Sequence, residues 1–202
     1  FSGRIHEQVS DSVVMAGIKI SVSEATITHH GYFSNEEALK KLNRNIKILK
    51  EELERNPDDK NALLFITRTL RGLNRIDEAE CYIDRLIEIG KGDKKFEFSD
   101  MFRIAVLEKA LILCSKNETR EAISFLEKMK MPQGDNPVVF TLGELCYKTG
   151  DYDSAYKYLK PLKGETFDNW LIPVNPQACK KVLNTCLGIS SLFAKDYDTA
   201  RE

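Results

Sequence analysis

The chain has 202 residues, with 30 Lys and Arg against 31 Asp and Glu, for a net charge of −1. That balance excludes the basic footprint expected of a nucleic-acid binder, and no apolar run approaches the 18 or more residues of a membrane span. With 42% hydrophobic and 30% charged residues, the chain is well able to bury a core.

In chain order, residues 1–33 stand apart from the rest of the chain. Polar residues cluster at Arg4, His6, Glu7 and Gln8, and Asp11–Ala16 reads as a helical or loop segment. After Gly17, the apolar Ile18, Ile20 and Val22 alternate with polar residues and Ile27 comes next, a strand pattern. Ser34 or Asn35 then caps a long helix whose first turn carries Glu36 and Glu37 against the helix dipole. Its apolar stripe is Leu39, Leu42, Ile46, Leu49 and Leu53, with Arg44 and Lys47 off the stripe. Pro57 stops it, since proline cannot continue a helix.

From residue 60 on, helices are expected in pairs. The first pair has Leu63, Leu64, Ile66 and Leu70 facing Ala79, Ile83 and Leu86. Gly90–Phe98 is charged and glycine-containing and reads as a loop. The second pair takes Phe102–Cys114 and Thr119–Met129 and ends at Pro132. In the third, Val139, Leu142, Leu145 and Cys146 share one face, Gly150 turns the chain, and Ala155, Tyr158, Leu159 and Leu162 form the next face. Lys163–Pro176, which holds Trp170, reads as an extended loop, with Trp170 either an exposed anchor or, the favoured reading because large aromatics are mostly well buried, a plug on the core. The fourth pair starts near Gln177 and runs through Leu187, Gly188 and Leu192. Phe1 without a preceding Met and an end at Glu202, early in a second helix, read as the borders of a piece of a longer protein.

Ala79, Ala122, Ala155 and Ala200 occupy equivalent places, 43, 33 and 45 residues apart. The third pair sets a small residue, Gly143, twelve positions before Ala155, with a Gly-Asp-Tyr turn between them. This pattern resembles a tetratricopeptide (TPR) unit, whose period is about 34 residues. The longer intervals are assigned to Gly90–Phe98 and to residues 163–175.

A second resemblance covers residues 1–60. Arg4, His6 and Glu7 form an R-x-H-E segment; His29, Gly31 and Tyr32 come next; then Arg44, Asn45, Pro57 and Asp58. In this order they are similar to the end of the catalytic domain of bacterial family 2 glycosyltransferases, a branch of which runs from a GT-A domain into TPR repeats. The fold implied is all-α, a TPR-like α-α superhelix of antiparallel helix pairs, with a short β remnant of the GT-A domain at the N-terminus. Its parts would be residues 1–33 (the incomplete end of the catalytic domain), 34–59 (a connecting helix) and 60–202 (about four repeats, the last cut short).

By this resemblance, Glu7 is the candidate catalytic base or acceptor-positioning residue, set against a plain salt bridge to Arg4. His29 is the candidate metal ligand or donor-diphosphate contact, with Tyr32 at the same site. His6 and His29 without a cysteine or further acidic motif make a weak zinc signal, and His30 reads as structural. The full-length enzyme would use a divalent metal, Mn or Mg, and a nucleotide sugar. The nucleotide-binding half and the acidic D-x-D motif of such enzymes are missing here, so the chain alone should be inactive and hold no cofactor. Asp151–Asp153 and Asp196–Asp198 read D-Y-D, but both sit where a turn meets a helix start, which favours Asp for structural reasons.

The repeats offer a different site. The first helices of TPR pairs line a groove for protein or peptide partners, and the candidates here are Arg68, Arg71, Arg103, Lys109, Glu144 and Lys148, each set against a plain solvated helix face. The five cysteines form no C-x-x-C pair and mostly fall among apolar positions, which suits a reduced, cytoplasmic protein. The rival to the transferase reading is a non-catalytic TPR adaptor or scaffold whose first 33 residues are only a hairpin.

Overall fold

A computed structural model describes residues 13, 15–19, 35–129, 136–165, 167 and 176–201. The helices are α1 (Asn35–Arg55), α2 (Lys60–Gly72), α3 (Ile76–Gly92), α4 (Lys94–Glu97), α5 (Asp100–Ser115), α6 (Thr119–Lys128), α7 (Asn136–Lys148), α8 (Tyr152–Leu159), α9 (Pro176–Phe193) and α10 (Tyr197–Arg201), with a 3₁₀ turn at Lys160–Leu162. There is no strand among the described residues. The β remnant expected around Ile20, Val22 and Ile27 lies outside them, as does Trp170. Before that stretch, the Ile18 N–H donates to the Val13 carbonyl at 3.1 Å and Gly17 takes a φ of 72°, which closes a helical turn.

The chain divides into two compact units, Phe1–Tyr82 and Ile83–Glu202. In the first, α1 packs on α2. Ile46 and Leu49 of the α1 stripe are buried, whereas Leu39 near its start is 48% exposed. The chain leaves α1 at Arg55 and turns through Pro57. Asp59 then caps α2, its side chain accepting the Ala62 N–H at 2.9 Å. In α2 the residues Leu63, Leu64, Ile66 and Leu70 are all buried, in keeping with their three- and four-residue spacing.

In the second unit, consecutive helices pair: α5 with α6, α7 with α8, and α9 with α10, while α9 also packs on α8 and α7. Phe140, Leu159, Leu162, Phe167, Leu183, Cys186 and Leu187 form the core between α7, α8 and α9. The Phe140 and Phe167 rings meet edge to face at 5.8 Å. Gly90–Phe98, expected as a loop, is instead mostly helical: α3 runs on to Gly92, and α4 comes next under an Asp93 cap that accepts the Lys95 and Phe96 N–H groups. Gly90 is buried because the Phe102 ring lies directly on its bare backbone, and Phe96 meets Phe102 edge to face at 5.5 Å. The glycine serves close packing there, not a turn.

The four pairs share one turn. The N–H groups of Arg75, Glu118, Asp151 and Asp196 reach back to the carbonyls of Leu70, Leu113, Cys146 and Ser191 at 2.9, 2.9, 3.0 and 2.9 Å. The residue before each (Asn74, Asn117, Gly150 and Lys195) has φ between 57° and 80°. This is the helix-ending geometry in which a left-handed residue lets the next N–H satisfy an orphan carbonyl. The second helix then begins with the N–H of Ala79, Ala122, Ala155 or Ala200 bonded to that same capping residue. Ala79, Ala122 and Ala155 have no exposed surface. Twelve residues before the four alanines stand Thr67, Ala110, Gly143 and Gly188. At Gly143 an added Cβ would overlap the Leu159 side chain, so helix α8 comes close enough to leave no room for one.

This contact predicts opposite effects at two equivalent glycines. Gly143→Val should destabilise the protein by about 1–3 kcal/mol through overpacking. Gly188→Ala, where a Cβ meets nothing within 4 Å, should stabilise it by about 0.5–1 kcal/mol through helix propensity. Chemical denaturation of both variants checks the pair, and equal effects at the two sites would refute the packing account.

Candidate functional site

The residues assigned to the transferase site, Glu7, His29 and Tyr32, lie outside the described residues, as do His6 and His30. The groove candidates are all described. Arg68, exposed, and Arg71, half-buried, lie on α2 in the first unit, while the other four belong to the second unit. Arg103 pairs locally with Asp100 at 3.5 Å. Lys109, with a side chain only 12% exposed, reaches Asp84 of α3 at 2.6 Å. Glu144 and Lys148, one helical turn apart on α7, pair at 2.6 Å. The structure therefore brings Glu144 and Lys148 together and ties Lys109 to the α3 helix.

The field of the α7 pair extends to neighbouring helices. Burial pushes the Cys114 thiol of α5 and the Cys179 and Cys186 thiols of α9 up from their ordinary values, Cys186 to about 11. Glu144 pushes all three further in that direction, and Lys148 opposes it at Cys114 and Cys186. Cys146 is likewise driven up to about 11, by burial first and then by Asp151 and Glu127. Thiols held protonated this way are packing groups, since the thiolate is the reactive form. Cys81 stands apart from these four: it is exposed on α3, and its Sγ donates to the Asp77 carbonyl at 3.4 Å. No group of three or more His, Cys, Asp or Glu that could hold a metal ion occurs among the described residues. No described helix is long and apolar enough to cross a membrane.

The second helices of the last three pairs, α6, α8 and α10, are joined by phenol–carboxylate bonds that no sequence pattern announces. The Tyr158 hydroxyl of α8 donates to Glu127 of α6 at 2.8 Å. The Tyr156 hydroxyl, from the same helix, donates to Asp196 at the start of α10 at 2.5 Å. Lys160 adds bonds to the Tyr156 hydroxyl at 2.6 Å and to Asp196 at 3.2 Å. Partners 31 and 40 residues apart leave no local signal, so only the three-dimensional register reveals them. In the same unit, a cavity of about 290 Å³ is lined by Lys163, Gly164, Asn184, Leu187, Gly188, Thr199 and Ala200.

Burial first, and then the hydrogen bond to Glu127, push the Tyr158 phenol up to about 12 from an ordinary 10. A pKa raised in the folded state stabilises the fold below the unfolded value, and that contribution disappears as the pH climbs through the folded one. Stability should therefore fall between pH 10 and about 12, and Tyr158→Phe should flatten that part of the profile. Thermal melts of both proteins across this range provide the check, and identical slopes would exclude Tyr158 as the source.

No protein-family model matches the chain, and no curated protein matches it.

Proposed function

We propose that this chain is the TPR-like helical-repeat region of a nucleotide-sugar-dependent glycosyltransferase, with stacked helix pairs that hold a protein or peptide acceptor. The observation that carries the repeat half of this reading is the turn built four times over from the same hydrogen bonds, at Asn74, Asn117, Gly150 and Lys195. Helix pairs built on a common turn stack into extended surfaces suited to binding other chains. The transferase half rests on the resemblance of residues 1–60. In the longer enzyme, Glu7 takes the acceptor proton or positions the acceptor, and His29 and Tyr32 face the donor diphosphate and its divalent metal, Mn or Mg. The chain alone then performs no transfer, and its place is the cytoplasm. Arg68, Arg71, Arg103, Lys109, Glu144 and Lys148 are the acceptor-facing candidates. Glu144 and Lys148 stand first among these, because a pair one helical turn apart, with Lys148 exposed and Glu144 half-buried, exchanges partners at little cost.

The adaptor reading needs only the repeats and nothing from residues 1–33, and the all-helical described residues suit it equally. Turnover separates the two. A protein joining this chain to a nucleotide-sugar-binding half is incubated with Mn²⁺ and a panel of nucleotide sugars, and nucleoside diphosphate release is measured. The expected result is metal-dependent release that drops about a hundredfold or more in Glu7→Ala and His29→Ala, with none from the 202-residue chain by itself. Release that survives both substitutions cancels the site assignment. No release with any donor, alongside peptide binding by the repeats, establishes the adaptor.

A further inference from the structure

We draw no further inference here: the strongest candidate, the apolar row of Ile104, Leu107, Leu111 and Cys114 along α5, on which Leu111 is 43% exposed and Cys114 half-buried, carries nothing because nothing in the structure shows what covers it.

Discussion

The architecture depends on one constraint: two helices must approach closely enough to bury the alanine in the first turn of the second helix. Ala79, Ala122 and Ala155 have no exposed surface, and the Gly143–Leu159 contact shows how little space the approach leaves. The turn exists to deliver that approach. A left-handed residue reverses the chain, the next N–H satisfies an orphan carbonyl of the first helix, and the alanine N–H then opens the second. This unit is built mainly from backbone bonds and small side chains, with Lys195 the exception at the fourth turn, so the remaining positions are free to diverge. That freedom explains how repeats with unequal intervals keep the same turn.

The unit is legible in the sequence because its elements are close together and chemically restricted. Alanine, a small residue and a turn residue at fixed offsets are a local pattern. The buried Leu63, Ile66, Leu70, Ile83 and Leu86 follow from helical periodicity. What fails to show is whatever depends on contacts between elements. Gly90 reads as a turn because glycine usually marks one, yet it lies inside a helix because the Phe102 ring occupies the place of its side chain. The Tyr158–Glu127 and Tyr156–Asp196 bonds join residues on separate helices, and nothing in either neighbourhood announces the partner. Even the D-Y-D runs, which read as turn and helix-start residues and are so, give no hint that Asp196 also binds across to α8. Of the candidate site, the charges on α2, α5 and α7 can be named from helical position, but their pairing cannot. Glu144 with Lys148 is a local pair, whereas Lys109 with Asp84 crosses from one helix to the next.

That difference in pairing bears on how a repeat surface of this kind would engage another molecule. The bonds between second helices, phenol to carboxylate at 2.8 and 2.5 Å, join neutral donors to charged acceptors and gain from partial burial of their rings. Such bonds are weakened little by salt. They suit the task of fixing one pair against the next. Lys109, only 12% exposed and bound to Asp84, belongs to the same class by its burial, because pulling opposite charges apart at a largely desolvated site is costly. It is a poor candidate for trading one partner for another.

Glu144 and Lys148 have the opposite character. Lys148 is 58% exposed and Glu144 28%, and a pair one turn apart on a helix contributes only about 0.3–0.5 kcal/mol. An incoming charged group could displace either one at that small cost. The pair also contributes to the shifts of the Cys114 thiol on α5 and the Cys186 thiol on α9, after burial. Among the groove candidates of the second unit, this pair combines exposure, low cost of separation and influence on its neighbours. A binding surface on these repeats would therefore centre on α7, with Lys109 acting as part of the scaffold that presents it.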